Sequence, residues 1–166
     1  MTSKCREQCG AAVLKFSEQI NSKINSGDLL YVGIAGDPIG GEYSPLFKNL
    51  KIKTFDIGKE WNPDIVGDIT KTNFENETWD VIVCVQTIEH IPNLWDLPNE
   101  VHRILKPNGY LIIDCPWDYP CHAVWPHFGD FWRITGDGMR ALLGSKFKII
   151  ESRFESNNTS ALFQKV

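Results

Sequence analysis

Several residues have types and spacings suited to chemistry. Gly33, Gly36, Gly40 and Gly41 crowd one short stretch, with Asp37 among them. Glycine lets a backbone pass close to a ligand and take positive φ, and a helix start beyond such a turn presents free N–H groups. Taken alone, the turn is equally an ordinary surface turn. Asp56 stands about twenty residues further on, where a strand-end carboxylate can accept both hydroxyls of a ribose. Asp68-Ile69 repeats the pattern, with a carboxylate for a purine amino group and an apolar side chain for the ring face. Together these describe a nucleoside site that requires no phosphate.

A second set could move protons or wall a pocket. His90 follows an apolar run, and imidazole titrates near neutrality, so it is the first candidate base. It could equally cap or pack the following helix. The stretch 117–133 holds His122, Trp125, His127, Asp130, Trp132 and Arg133. Aromatic walls with a few polar groups suit a small ligand. The alternative is a packed aromatic loop in which Arg133 pairs with Asp130. Cys5 and Cys9 could share a helix face, but no CxxC spacing or nearby His completes a zinc ligand set, so no metal site is expected.

The elements must carry these residues to one place. Cys9, Val13, Phe16, Ile20 and Ile24 recur every three or four positions, which predicts a helix over 3–25 stopped by Gly27. A buried strand follows over 29–34, then a short helix near 44–49. Strands are expected over 51–57, 64–68 and 79–85, the last nearly all apolar as in a strand covered on both faces. Leu94, Leu97, Val101 and Ile104 give helical periodicity, which Lys106-Pro107-Asn108-Gly109 should end. A strand over 110–115, a helix from Thr135 to Leu143 and strands over 147–154 and 159–166 complete the chain. Strands alternating with helices predict an α/β domain, a Rossmann-like, doubly wound, mostly parallel sheet of six to seven strands with helices on both faces. Residues 1–166 read as one domain, with 1–27 as an N-terminal helix packed on the sheet. In such a sheet ligands bind at the strand C-termini.

Bulk properties narrow the function classes. A net charge of −4 offers no basic surplus for nucleic acid. No apolar run is long enough to span a bilayer, and the polar opening Met1–Gln8 lacks the apolar core of a signal peptide. Five irregularly spaced cysteines do not form a disulfide framework. The expectation is a cytoplasmic protein acting on a small molecule, with neither nucleic acid nor membrane as partner.

Two longer motifs carry a resemblance. Residues 74–91 read FENETWDVIVCVQTIEHI, and residues 100–113 read EVHRILKPNGYLII. The pair resembles the class I S-adenosylmethionine-dependent methyltransferases of the methyltransferase type 11-like branch, with their "FDVV…LEH" strand and "E-hRvLKPGG" helix stop. Phe131-Trp132-Arg133-Ile134-Thr135, followed by Gly138-Met139, is similar to a "DyWRfTpeGl" segment of relatives that accompany glycan biosynthesis. The resemblance implies S-adenosylmethionine as cofactor and methyl transfer to a small acceptor, such as a sugar or other hydroxyl. It implies that Gly33, Ala35 and Gly36 surround the methionine part, that Asp56 with Ile57 holds the ribose, and that Asp68 and Ile69 contact adenine. Val85 and Gln86 would line the sulfonium side. The chain departs from the pattern at Tyr31, where the family carries an acidic residue, and at Ala35, where it carries a second glycine. Asp37 is the candidate for the missing charge. Two other readings are a non-catalytic S-adenosylmethionine-binding subunit and an NAD(P)-binding oxidoreductase, the latter with a tighter glycine motif.

Overall fold

The computed structural model describes residues 3–35 and 41–166, with side chains from residue 6 onward. Gly36 and Asp37 lie outside the described residues. Helix α1 spans Ser3–Asn21. Strands β1 (Gly27–Val32), β2 (Leu50–Asp56), β3 (Ile65–Val66) and β4 (Trp79–Val85) follow, then helix α2 (Leu97–Ile104) and strand β5 (Leu105–Pro116). Helix α3 (Gly136–Leu143) and strands β6 (Phe147–Phe154) and β7 (Asn158–Lys165) complete the order. The seven strands form one sheet in the order β3-β2-β1-β4-β5-β7-β6. Pairings from β3 to β5 are parallel, and β7 is inserted antiparallel between β5 and β6.

Strand periodicity divides the core between two faces, because successive side chains point to opposite sides. Leu29, Tyr31, Val81, Val83, Tyr110, Ile112 and Leu162 meet Cys9, Ala12, Val13, Phe16 and Ile20 of α1. Leu30, Val32, Ile82, Cys84, Leu111, Ile113 and Phe163 meet Val101 and Ile104 of α2 and Met139, Leu142 and Leu143 of α3. Both faces of β4 are therefore covered, which is why its sequence shows no polar alternation. Among the described residues three α-helices serve seven strands. In the described residues of the links from β1 to β2 and from β2 to β3, single 3-10 turns stand at Ser44–Leu46 and Lys59–Trp61.

Local departures from expectation have physical reasons. The first helix ends at Asn21 rather than near residue 25, where the Asn21 amide donates to Leu46 O at 2.8 Å. Gly27 is not its stop. It opens β1, where an added Cβ would lie 2.7 Å from the Asp80 carboxyl carbon. That carboxylate accepts from Asp28 N and from Lys106 Nζ, at 2.8 and 2.7 Å. The helix expected over 44–49 is a single turn. Residues 106–109 form an irregularity inside β5, where the partner of β4 jumps from Leu105 to Tyr110 and Asn108 has φ +63°. Helix α2 has already ended at Ile104. Thr135 caps α3 as expected, its hydroxyl accepting from Gly138 N at 3.3 Å.

Candidate functional site

The strand order reverses between β1 and β4, and a cleft of about 930 Å³, part of it open solvent, lies at the C-terminal edge of that switch point. Gly33, Ala35, Asp56, Ile57, Asp68, Ile69, Gln86 and His90 all line it. Chain leaves β1 through Gly33 at φ +81°, where an added Cβ would fall 2.1 Å from Thr87 Oγ1. The Thr87 hydroxyl lies within hydrogen-bond distance of both Val32 O and Val85 O, at 3.1 and 2.9 Å, so it ties together the ends of β1 and β4. Only glycine satisfies both the backbone angle and that contact.

Asp56 ends β2 and is 5% exposed. One oxygen accepts from Ile34 N at 2.7 Å and the other from Gly58 N at 2.8 Å. Two neighbouring loops are thus fixed to a single carboxylate, and each oxygen keeps a lone pair for a further donor. Beside it, Ile57 is 67% exposed and faces the cleft, while Ile69 is buried beneath. Asp68 accepts from Thr70 N and Thr70 Oγ1 at 2.9 and 2.6 Å. Partial burial pushes its pKa up, but these bonds and Lys71 outweigh burial, and the net shift is downward. This half of the cleft therefore offers carboxylates already held by donors, set around an apolar shelf.

The other half is built on the 3-10 turn Ile88–His90, just beyond β4. Its backbone carries the aromatic segment. Glu89 O accepts from Phe131 N at 2.8 Å, and Ile91 O accepts from Trp132 Nε1 at 2.7 Å. His90 Nδ1 lies 2.5 Å from Gly129 O. A carbonyl only accepts, so Nδ1 bears the hydrogen and Nε2 bears the lone pair. Desolvation holds the His90 pKa below the ordinary histidine value, against the opposing pull of the Gly129 carbonyl. Glu89 is fully buried, and neither of its carboxylate oxygens has a hydrogen-bond partner among the described residues. Burial, with added repulsion from Asp114 and Asp130, pushes its pKa up to about 8.

The six residues expected at an acceptor pocket separate. His127 lines the cleft and closes its rim, with Nδ1 2.7 Å from Glu60 Oε1 and its ring against Trp61. His122 stacks edge-on against His90, with ring centroids 4.8 Å apart. Asp130 and Arg133 form a two-pronged pair, at 2.6 and 2.7 Å, and Arg133 also donates to the carbonyls of Tyr119 and Pro120. They fasten the loop. Trp132 is half-buried through its bond to Ile91, and Trp125 is 73% exposed. Val85 is buried at the end of β4, and its neighbour Gln86 has φ +50° and donates through its amide to Asp114. Asp114 in turn accepts from Ser160, and burial raises its pKa against these bonds.

Residues that sequence reasoning passed over include Thr87, Glu60, Trp61, Phe128 and, above all, Glu89. The signal for Glu89 is an acid in the run Ile88-Glu89-His90-Ile91, a few residues after a nearly all-apolar strand. Glu60 and Trp61 gave no signal, because a single 3-10 turn brings them to the rim.

Comparisons with known proteins agree with this architecture. Residues 44–113 match the family described as "Methyltransferase domain". A sterol 4-C-methyltransferase of Caenorhabditis elegans is 37% identical over 49 residues, which cover 30% of this chain and 15% of that protein. The chain thus matches a small part of that relative's length. An S-adenosylmethionine-dependent methyltransferase from Methanosarcina mazei superposes with a TM-score of 0.71 at 14% identity, over 90% of this chain and 97% of that one. The N-methyltransferase NodS from Bradyrhizobium japonicum, solved with S-adenosyl-L-homocysteine, gives 0.66 at 17% identity, over 96% and 86%. The fold is that of these enzymes.

Proposed function

We propose that this chain, whose residues 44–113 belong to the methyltransferase-domain family, binds S-adenosylmethionine in the cleft and directs its methyl group to a small hydroxyl acceptor, sugar hydroxyls being the first class to test. The observation that carries the reading is one cleft holding a glycine exit at positive φ, a buried strand-end carboxylate and an exposed apolar shelf. These fit the three parts of such a cofactor. Gly33 and Ala35 leave room for the methionine part, Asp56 has lone pairs left for ribose hydroxyls, and Ile57 and Ile69 offer apolar faces to a purine. The cofactor supplies a methyl group already activated by its sulfonium charge. What the chain must add is alignment, exclusion of water and a place for the acceptor's proton. A lone pair for that proton stands at His90 Nε2, on a side chain that lines the cleft. The loop that carries His127 and Phe128 covers this end of the cleft.

Among the described residues no disulfide links the cysteines, which fits a reducing, cytoplasmic setting. No helix among the described residues is long and apolar enough to cross a membrane. The test is calorimetry. S-adenosylhomocysteine should bind with one site per chain, and NAD and NADP should not. A preference for either dinucleotide would overturn the reading.

A further inference from the structure

The mechanism above leaves Glu89 without a physical account. Its carboxylate is fully buried and unpartnered, and two imidazole nitrogens face it. His90 Nε2 lies 3.8 Å from Glu89 Oε1, and His122 Nε2 lies 3.9 Å from the same oxygen. All three ligand atoms fall within 4.8 Å of one another. The tautomers follow from the outer partners. His90 Nδ1–H is held by Gly129 O. His122 Nδ1 lies 3.2 Å from both Pro120 O and Asp130 Oδ2, so it too carries the hydrogen. Both Nε2 atoms therefore bring lone pairs toward a carboxylate. Among the described residues neither Glu89 oxygen has a hydrogen-bond partner.

Three convergent lone-pair donors, one buried and two half-buried, form a site that a cation completes. We propose that Glu89, His90 and His122 bind one divalent transition-metal ion of the zinc, cobalt and manganese class. Two imidazoles and a carboxylate suit these ions, whereas magnesium and calcium prefer oxygen ligands throughout. Metal bonds of about 2.0–2.2 Å set ligand atoms roughly 3.0–3.5 Å apart, so the two oxygen–nitrogen gaps must close by under about 1 Å. The outer shell is already built. Metal-binding histidines usually donate their second ring N–H to a carbonyl or carboxylate, as both do here. Asp130 is itself fixed by Arg133 and by His122 N, which makes it a positioning residue. The protein supplies three ligands, and the exposure of the side chains rises from 0% at Glu89 to 16% at His90 and 31% at His122. Further coordination positions therefore face outward, and His90 borders the cleft. Placing the ion beside the acceptor rests on the methyl-transfer reading; the ion's binding does not.

The test uses the whole chain, stripped with a chelator and titrated with zinc or cobalt chloride in the absence of any cofactor. One zinc per chain should bind by calorimetry and elemental analysis, and cobalt should develop visible absorption of a four- or five-coordinate site. His122→Ala and Glu89→Gln should each weaken zinc binding at least tenfold and bleach the cobalt band. His122 lies on a partly exposed loop, so its loss leaves the core intact. His102→Ala, on α2 against Phe147, is the control and should bind zinc as the wild type does. No stoichiometric zinc in the wild type, or equal binding in both ligand variants, would overturn the proposal. S-adenosylhomocysteine is titrated in parallel. A chain that binds zinc and not this compound refutes the methyl-transfer reading alone, and the reverse refutes the metal site alone.

Discussion

Asp56, which lines the cleft, and Glu89, buried next to the cleft-lining His90, are both buried carboxylates, yet their surroundings differ in kind. Asp56 receives a backbone N–H on each oxygen, and those bonds hold Ile34 and Gly58 in place. Glu89 has no hydrogen-bond partner among the described residues and faces two imidazoles. Burying a carboxylate is costly unless donors or a cation meet it. The cost is offset locally at Asp56, which leaves a rigid, preformed binding wall. At Glu89 it is left open, so that half is arranged for a proton or an ion. In the function proposed above, the β1–β2–β3 half of the cleft holds the ligand and the half beyond β4 carries the chemistry.

Substitutions can break that division. The largest effect is expected at His90. His90→Ala should lower turnover by about 10²–10³-fold, while affinity for S-adenosylhomocysteine stays near wild type. Equal losses in both would mean that the chemical half also binds the cofactor. Next comes Asp56→Ala, which should weaken the same ligand by about 1.5–3 kcal/mol. It should also lower the melting temperature of the ligand-free chain, because two backbone amides lose their acceptor. Undiminished affinity in a folded variant would remove Asp56 from the ribose site.

Ile57→Ala sharpens the comparison, because Ile57 is 67% exposed and contributes little to the core. Cofactor affinity should fall by about 1 kcal/mol from lost apolar contact, with the melting temperature unchanged. A drop in melting temperature would show that the shelf is structural. The smallest effect is expected at Trp125, which is 73% exposed on the aromatic loop. Trp125→Ala should raise acceptor KM a few-fold and leave kcat alone. A change in kcat instead would bring this side chain into the chemical half.

The sequence on its own determined the elements whose burial pattern is regular. β4 is apolar at nearly every position because both of its faces are covered, and α1 repeats its apolar residues at helical spacing because one face meets the sheet. Gly33, Asp56, Asp68 and His90 were legible because a strand's end and the residue type found there announce a site at the sheet edge. Element ends were less legible. Local pattern marked Gly27 as a helix stop, but space for Asp80 on the next strand decided its place. The antiparallel insertion of β7 between β5 and β6 has no local signature either, since pairing partners are remote in the chain. The same limit governs the chemistry. His122 lies 32 positions beyond His90, and Glu89 reads in sequence as one more acid beside a histidine. Only the packing of the aromatic loop onto the turn after β4 brings the three together. A residue's type states what it can bind, and the tertiary structure alone states what has been left for it to bind.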